Sequence, residues 1–443
     1  MRIQLLIASL LAVTACRTEE NPAPDLTVGI DLAVGDLPAN IDLAGLDLTQ
    51  VDLLNVDLYT PLFAAPVAYP VEHGPIFVAI ADLNQDGKRD LVIASTNDPD
   101  GPDNNIGTTG DNVPSTVSVL LGNGDGTFQA KVSTPIDPYP QGIAVSDLNT
   151  DTRADVVVSV KDGFQVLLTA AGGTLGAPTK IAIPTTYARS IALGDIDNDG
   201  KLDAVLADLG VVTGKAWVSR GNGNGTFNTP VSFEVTSTAT VYSTVVARIG
   251  DMNNDGKLDI VTANTEYPSA TSNIVSILTN TSTPGTVSFA SAPTEVPAGG
   301  IPFDLLLDQL DGANKLDMVL ANFNENKLRV FLSDNAGSAL TFGAAAQYVV
   351  GAGPIALAFA DIDSDTKVDI LVANSGASSV TVLYGGGGGL FGQATASRPG
   401  SETYPTGQDP VSIVAATFNA DTKVDVVTAN QVANNVTVLL NQR

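Results

Sequence analysis

An acidic segment of nine residues recurs along this chain at intervals of about 50 to 65 residues. Six copies share one register and begin at Asp82, Asp147, Asp195, Asp251, Asp361 and Thr417. The remaining copy, from Asp308 to Asp317, is one residue longer when it is aligned on its first aspartate. Recurrence at a nearly fixed period is typical of repeat architectures, so the chain is interpreted as seven copies of one structural unit.

Short apolar runs flank each acidic segment. In the first unit, residues 75–81 precede the segment, residues 91–94 follow it, and residues 116–121 alternate apolar with polar side chains before a glycine turn. Such runs, separated by turn residues, predict four short β-strands per unit, and no segment has a convincing helical period. The sequence therefore predicts an all-β fold, a seven-bladed β-propeller of four-stranded blades.

The last unit lacks a fourth strand, because the chain reaches Arg443 directly after its third apolar run. Residues 62–71, which precede the first unit, are similar to the fourth-strand segments of other units, such as residues 128–132. We expect residues 62–71 to complete blade seven and close the ring, which removes a sheet edge that would favour aggregation. An unpaired leader strand is the alternative.

The N-terminal residues 1–15 have the form of a signal peptide. Arg2 is followed by an apolar stretch over residues 5–13 that is too short to span a bilayer. Residues 11–16 resemble a bacterial lipobox, which implies cleavage before Cys16, lipid on its thiol and attachment to a membrane. We therefore predict an extracytoplasmic lipoprotein of the outer membrane or cell surface. An ordinary secretory peptide cleaved nearby is the alternative.

Between this peptide and the propeller, Asp-Leu pairs recur every five or six residues across residues 25–58. This spacing suits neither a helix face nor strand alternation, so residues 16–61 are predicted to form an extended, lipid-anchored tether. A short stacked-repeat structure is the alternative. The predicted organisation is a signal peptide at 1–15, a tether at 16–61 and a propeller at 62–443.

The charge balance limits the possible partners. The chain has 48 acidic and 21 basic residues, for a formal charge of −27. Nucleic acid and anionic lipid headgroups are therefore poor partners, and cations are favourable ones. Cys16 is the only cysteine, so no internal disulfide can form.

The acidic segments have the composition of cation-binding loops. We number the loop positions one to nine, from Asp82 to Asp90 in blade one. Asp or Asn side chains at positions one, three, five and nine, with the backbone carbonyl at position seven, can direct several oxygens at one centre, as calcium requires. Magnesium prefers a smaller octahedral shell, and zinc or copper would need histidine or thiolate ligands. The predicted Ca²⁺ ligands are Asp82, Asn84, Asp86, Lys88 and Asp90 in blade one; Asp147, Asn149, Asp151, Arg153 and Asp155 in blade two; Asp195, Asp197, Asp199, Lys201 and Asp203 in blade three; Asp251, Asn253, Asp255, Lys257 and Asp259 in blade four; Asp361, Asp363, Asp365, Lys367 and Asp369 in blade six; and Asn419, Asp421 and Asp425 in blade seven.

Metal-free, Asp-rich turns are the alternative interpretation of these loops. Two carboxylates about 4 Å apart repel each other by roughly 4 kcal/mol at an effective dielectric constant of about 20. Several such carboxylates in each loop, repeated in register, therefore favour a bound cation.

The loops are not expected to bind equally. Position six is Gly87, Gly200 or Gly256 in blades one, three and four, where a sharp turn favours glycine. Blades two and six have Thr152 and Thr366 there, so we expect them to bind with backbone strain. These are the five strong sites of the prediction.

Two further loops depart from the pattern. Blade seven has Thr417 in place of the first carboxylate and is expected to bind more weakly. Blade five offers Asp308, Asp311, Asn314 and Asp317 in a shifted register, and we expect this loop to be empty or irregular.

Taken together, the acidic loops, the Val-Ala-Asn strands that follow them and the Gly-Thr-Phe turn that ends at Phe128 resemble the FG-GAP or VCBS repeat family over residues 62–443. Relatives in that family include the seven-bladed head of integrin α-subunits and a fungal calcium-binding lectin. The resemblance implies calcium in the loops and a role in adhesion or ligand recognition.

Ligands of such propellers more often use the face opposite the acidic loops. Each candidate there lies five residues after the last acidic ligand, at the end of a second strand; the candidates are Asp208, Asn264, Asn322, Asn374 and Asn430. A ring of amide groups suits a sugar or a peptide. The alternative is that these side chains cap the strand ends.

Three functional classes follow from this sequence. The leading one is an envelope-anchored, monomeric binding or adhesion module for a glycan or protein ligand. A polysaccharide-active lyase or hydrolase is the second; His73 is the only histidine, which disfavours most nucleophilic triads. A structural subunit of an envelope complex is the third.

Overall fold

The computed structural model describes residues 61–96, 114–209, 214–237, 242–266, 272–334, 340–395 and 398–443. These residues form the predicted seven-bladed β-propeller, in which each blade is a four-stranded antiparallel arrangement. The predicted signal peptide, Cys16 and the tether lie outside the described residues, so their assignment stays a prediction.

The first strand of the chain belongs to the last blade, and blades one to three follow it. Strand β1 is Val67–Pro70. Blade one contains β2 (Pro75–Ala81), β3 (Asp90–Ser95), β4 (Ser115–Leu120) and β5 (Val132–Ile136). Blade two contains β6 (Gly142–Ser146), β7 (Asp155–Leu167) and the first part of β8 (Thr179–Gly194). Blade three contains the rest of β8 with β9 (Asp203–Asp208), β10 (Lys215–Ser219) and β11 (Val231–Glu234).

Blades four to seven repeat the same order. Blade four contains β12 (Tyr242–Gly250), β13 (Asp259–Glu266), β14 (Asn273–Leu278) and β15 (Thr294–Gly299). Blade five contains β16 (Pro302–Asp308), β17 (Asp317–Asn322), β18 (Lys327–Phe331) and β19 (Ala346–Val349). Blade six contains β20 (Pro354–Ala360), β21 (Asp369–Asn374), β22 (Ser379–Leu383) and β25 (Ser401–Pro405), with a small hairpin of β23 (Gly385–Gly387) and β24 (Leu390–Phe391). Blade seven contains β26 (Pro410–Ala416), β27 (Asp425–Asn430), β28 (Asn435–Leu439) and β1.

Two long strands join blades two and three into one six-stranded sheet. Strand β7 supplies both the second and third strands of blade two, and β8 continues from the fourth strand of blade two into the first strand of blade three. A left-handed residue, Asp162 (φ 59°), lies at the bend within β7. The sequence pattern did not predict this continuity, because it separates strands only where turn residues interrupt them.

The position of each strand in its blade determines its exposure. The first strands of neighbouring blades contact one another all round the ring, from β2 and β6 through to β26 and β2. They therefore form the innermost layer, around the central channel. The second strands β3, β9, β17, β21 and β27 are buried along their whole length, which explains their continuous apolar sequences. The fourth strands, such as β11, β19 and β25, are partly exposed along their length at the outer edge.

The ring closes as the sequence predicts. Strand β1 pairs antiparallel with β28, with Val67 opposite Val438, and Phe63 forms a further bridge to Asn441. The Leu62 N–H donates a hydrogen bond of 2.9 Å to the Tyr404 hydroxyl of blade six. Residues 62–71 therefore complete blade seven and cover an edge that would otherwise be unpaired.

Seven hydrophobic clusters of described residues fill the interfaces, one between each pair of neighbouring blades. The cluster at the closure packs Leu91 and Phe128 of blade one against Val427 and Val436 of blade seven. Each fully buried Val, Leu or Phe side chain contributes roughly 1.5–3 kcal/mol, so blade-to-blade packing is the main support of the ring. No helix among the described residues is long and apolar enough to cross a bilayer.

Candidate functional site

The buried carboxylate at position nine builds each acidic loop. In blade one, Asp90 is fully buried and its Oδ2 accepts a hydrogen bond of 2.8 Å from the Leu83 N–H. Its Oδ1 accepts a bond of 2.9 Å from the Gly122 N–H, which lies beyond the third strand. The same pair of bonds recurs at Asp155, Asp203, Asp259, Asp317, Asp369 and Asp425. Position nine therefore ties the start of the loop to the end of the third strand.

This bond corrects the prediction for blade five. Asp308 pairs with Asp317 across the sheet as Ala81 pairs with Asp90, so Asp308 is the last residue of a strand. The Leu310 N–H donates to Asp317 at 2.8 Å, which makes Gln309 the residue at position one. The loop has the common length, and the prediction of an extra residue in a shifted register was wrong. Asp308 lies just outside the loop, although its residue type matches that of position one.

Position one holds the loops of blades one, two, three, four and six in a common turn. In blade three, Asp195 Oδ1 accepts from the Asp199 N–H at 3.0 Å and Asp195 Oδ2 accepts from the Gly200 N–H at 2.8 Å. Asp199 Oδ1 in turn accepts from the Lys201 N–H at 3.0 Å. Equivalent bonds are made by Asp82, Asp147, Asp251 and Asp361.

Two loops bring three carboxylates together. Oxygens of Asp195, Asp197 and Asp199 lie within 4.8 Å of one another, and those of Asp361, Asp363 and Asp365 do the same. Blades one, two, four and seven have asparagine at position three instead; these residues are Asn84, Asn149, Asn253 and Asn419. Blades three and six therefore carry one more carboxylate in the loop than blades one, two and four.

An arginine accompanies each of these additional carboxylates. Arg220 Nη1 lies 3.2 Å from Asp197 Oδ2 in blade three. In blade six, Arg398 forms an ion pair with Asp363, lies 3.3 Å from Asp365 Oδ2 and stacks on the Tyr384 ring. The sequence pattern did not predict that either arginine lies beside a loop. Aspartate at position three is the signal that could have prompted a search for a counter-ion.

The position-seven side chains also contact the loops. Lys201 Nζ lies 3.1 Å from Asp199, Lys367 Nζ lies 3.3 Å from Asp365, and Arg153 pairs with Asp151. These cations lie at the solvent side of position five, where exposed ion pairs contribute little to stability. They reduce the repulsion between the carboxylates only in part.

The donor set of blade three fits a divalent cation. Asp197 is only 1% exposed, and its Oδ2 accepts from Arg220 and from the Gly285 N–H of blade four at 3.1 Å. Its Oδ1 is buried and has no hydrogen-bond partner among the described residues. A buried carboxylate oxygen without a donor is costly. A calcium ion ligated by oxygens of positions one, three and five would satisfy it.

Burial makes the position-nine carboxyls harder to ionise. It raises the pKa of Asp203 and Asp259 to about 6 and that of Asp369 to about 7, against the lowering effect of their two backbone hydrogen bonds. The nearby loop carboxylates raise these pKa values further. The loop carboxylates thus lie close enough to disfavour ionisation of their neighbours, and a bound cation would reduce this repulsion.

Position six shows the predicted difference between glycine and threonine. Gly200 has φ 85°, whereas Thr152 and Thr366 adopt φ 71° and 69°. Thr422 of blade seven has φ 66°. A β-branched residue in this left-handed region is strained by about 1–3 kcal/mol.

The irregular loops keep only part of this arrangement. In blade seven, Asn419 and Asp421 accept backbone hydrogen bonds, but Thr417 offers no carboxylate at position one. In blade five, Gln309 and Ala313 occupy positions one and five, which leaves Asp311 at position three and Asp317 at position nine. Both loops therefore have fewer anionic ligands than blade three.

On the opposite face, the predicted ring of ligand-binding residues is buried. Asn264, Asn322, Asn374 and Asn430 are fully buried, and Asp208 is 7% exposed. Their side chains bond inside the blades: Asn264 donates to Ser276, Asn322 to the Ala298 carbonyl, Asn374 to Thr381, Asn430 to Thr437, and Asp208 accepts from Trp217 Nε1. The structure thus corrects the expectation of direct ligand contact and favours the strand-capping alternative.

Comparison with known families agrees with the loop pattern. The FG-GAP-like repeat family matches residues 82–158, 147–206, 205–262 and 309–372. The chain belongs to this family. No curated protein matches it.

Solved propellers share the fold at low sequence identity. BBS1N, from its complex with ARL6DN, has a TM-score of 0.54 and 10% identity, covering 86% of this chain and 98% of that one. The periplasmic gluconolactonase PpgL of Pseudomonas aeruginosa has a TM-score of 0.51 and 17% identity, covering 76% of this chain and 86% of the other. At these identities the likeness concerns the fold alone.

Proposed function

We propose that this FG-GAP repeat protein is a calcium-stabilised binding module, anchored at the cell envelope, for a protein or glycan ligand. The observation that carries the calcium assignment is the buried, unpartnered Oδ1 of Asp197 within the carboxylate cluster of blade three. The turn itself does not require that cluster, because blade five forms the same position-nine bonds with Gln309 and Ala313 in the loop.

Calcium would supply positive charge and fixed coordination to the loops. Asp195, Asp197 and Asp199 would hold it in blade three, and Asp361, Asp363 and Asp365 in blade six. The loops also support the packing of neighbouring blades. In several blades the turn between the third and fourth strands docks on the loop of the preceding blade, as the Gly285 N–H does on Asp197 and the Gly225 N–H on the Leu148 carbonyl. A rigid loop therefore supports the interface between these blades.

The binding role is supported by what the propeller offers chemically. His73 is the only histidine in the sequence, and the buried position-nine carboxylates are occupied by backbone hydrogen bonds. A propeller of the same fold, BBS1N, was solved in complex with ARL6DN, which supports protein binding as a use of this architecture. If the ligand binds on the face opposite the acidic loops, the calcium loops have only a stabilising role.

Titration of the full-length mature protein with Ca²⁺ after chelation tests the metal assignment. Isothermal calorimetry should detect saturable binding at several sites, and Mg²⁺ at the same concentration should bind more weakly because its shell is smaller. The absence of calcium binding by metal-free, folded protein would contradict the proposal.

The anchoring proposal has its own test. A Cys16→Ser variant should lose metabolic acyl labelling and leave the membrane fraction, whereas a Thr14→Ser variant should retain both. Wild-type protein without acyl label would contradict lipid attachment at Cys16, with no consequence for the calcium assignment.

A further inference from the structure

The inner strands of the propeller share a β-bulge at the end that faces away from the acidic loops. Pairing between first and second strands skips one residue near the start of the first strand in six blades. The skipped residues are Ile76, Arg189, Val245, Phe303, Ile355 and Val411. They form a ring at one mouth of the central channel, and we call them the bulge ring.

Arg189 is the charged member of an otherwise apolar bulge ring. The fold does not require an arginine there, because Ile76 and Val245 fill equivalent positions and are nearly fully buried. A bulge re-aims the side chain that it carries, and bulges are frequent beside binding sites. The exception to the apolar pattern therefore suggests a function for this side chain.

The Arg189 guanidinium reaches across the channel. It lies over the Phe303 ring, 4.7 Å from the centroid, although Arg189 belongs to blade three and Phe303 to blade five. Phe303 in turn packs against Phe323, with 4.9 Å between ring centroids. All three side chains are partly exposed. The cation is thus held on an aromatic platform at the channel mouth.

Asp304, the nearest counter-charge, is already occupied. Its Oδ1 accepts from Arg248 Nη2 at 2.5 Å and from the Leu305 N–H, and its Oδ2 accepts from the Leu357 N–H at 2.9 Å. Arg248 therefore neutralises Asp304. Burial lowers the pKa of Arg189 to about 10, with attraction by Asp304 opposing the change, so the guanidinium stays charged at neutral pH.

Arg189 retains unused donors. Among the residues that the structure describes, its guanidinium has no hydrogen-bond acceptor, whereas Arg248 donates to both Asp304 and the Ala247 carbonyl. The group of Arg189, Arg248 and Asp304 has a net charge of +1 within a chain of formal charge −27. An arginine fork with free donors is suited to bidentate pairing with a carboxylate.

We propose that the bulge ring is the docking site for a carboxylate side chain of a protein ligand, with Arg189 as its partner. This inference rests on the proposed binding function and names the ligand chemistry for it. The ring around Arg189 favours a protein over a sugar acid, since the partly exposed Phe303, Ile355 and Val411 offer apolar contact and no side-chain partners for sugar hydroxyls. An Asp or Glu flanked by apolar residues matches this surface.

The test uses arrays of random hexapeptides and of glycans, probed with the full-length mature protein in calcium. Wild-type protein should bind preferentially to peptides that carry Asp or Glu next to apolar residues. Replacing that Asp by Asn, or that Glu by Gln, should weaken binding about tenfold or more. An Arg189→Gln variant should lose this enrichment. Arg189→Lys should recover part of it, because lysine keeps the charge without the planar fork.

Arg329→Gln is the matched control, because Arg329 is also partly buried but already pairs with Glu325 at 3.0 Å. It should keep the acidic enrichment. Equal melting temperatures of the variants establish that they are folded.

Three outcomes would overturn the assignment: no acidic enrichment in the wild type, the same enrichment in Arg189→Gln, or Arg189-dependent binding of uronic acids without binding of acidic peptides. In each of these cases the protein still binds a ligand or can still bind one elsewhere, so the proposed binding function survives. That function fails instead if the wild type binds neither peptides nor glycans on the arrays.

Discussion

The acidic loops of blades three and five occupy equivalent places in their blades but differ in the number of carboxylate side chains. Both place a buried aspartate at position nine, Asp203 or Asp317, with the same two backbone hydrogen bonds. Both also have aspartate at position three, Asp197 or Asp311. Blade three adds carboxylates at positions one and five, where blade five has Gln309 and Ala313. The turn forms in both.

This difference separates two roles that the repeat pattern combines. Position nine builds the hairpin, because its oxygens satisfy two backbone N–H groups that are otherwise buried without partners. Carboxylates at positions one and five are not needed for the path of the chain, because blade five forms the turn without them. They repel one another, so their presence in blade three is best explained by a cation.

Calcium removal should have the largest effect. Each saturated site stabilises the folded state by about 2.7 kcal/mol when calcium is a hundredfold above its Kd, so chelation should lower the melting temperature strongly. Asp195→Ala should remove one site's share of that shift, and Gln309→Ala should leave it unchanged. Differential scanning calorimetry with and without chelator measures both. Equal losses in the two variants would remove the distinction between the blades.

Loss of the position-nine carboxylate should cost almost as much and should not depend on metal. Asp317→Ala leaves the Leu310 and Ser333 N–H groups without acceptors, at about 1–3 kcal/mol each. Asp203→Ala should cost a similar amount in chelator. Urea unfolding gives the free energies. A calcium-dependent cost for Asp317→Ala would contradict a purely structural role in blade five.

The arginine counter-ions should tune calcium affinity. Arg220→Gln removes a cation 3.2 Å from Asp197, so it should lower the stability of the metal-free protein and raise the calcium affinity of blade three. An increase of about tenfold corresponds to 1.4 kcal/mol of relieved repulsion. Arg329→Gln, whose partner Glu325 is outside the loops, is the control. Calorimetric titration that gives an unchanged or lower affinity in Arg220→Gln would argue that the arginine does not oppose the metal.

The sequence was sufficient for the parts of this molecule that repeat. Blade number, strand order and closure by residues 62–71 follow from periodic apolar runs and from the missing last strand. Side-chain contacts between different strands and connections of one blade were not predictable in this way. Arg220 and Arg398 approach the loops from other connections, and the burial of Asn374 depends on Thr381 in the next strand.

Register was the other limit. Asp308 has the residue type expected at position one, and only its pairing with Asp317 shows that it ends a strand. Composition alone could not separate an aspartate that starts the loop from one that precedes it.

The smallest expected effect concerns backbone strain at position six, where the regular loops have either glycine or threonine. A Cβ at Gly200 would meet no atom within 4 Å, so Gly200→Thr changes the backbone preference at φ 85° and little else. Thr366→Gly should stabilise blade six by about 1 kcal/mol, which is about 2 kcal/mol of strain for a β-branched residue at φ 69° less about 1 kcal/mol of entropy that glycine loses on folding. Gly200→Thr should cost a similar amount. Because the strain resides in the backbone, both variants should change the free energy of urea unfolding equally with and without calcium. The effect of Asp195→Ala should instead depend on calcium. If the gain in Thr366→Gly vanished in chelator, the left-handed turn would depend on the metal and not on the chain.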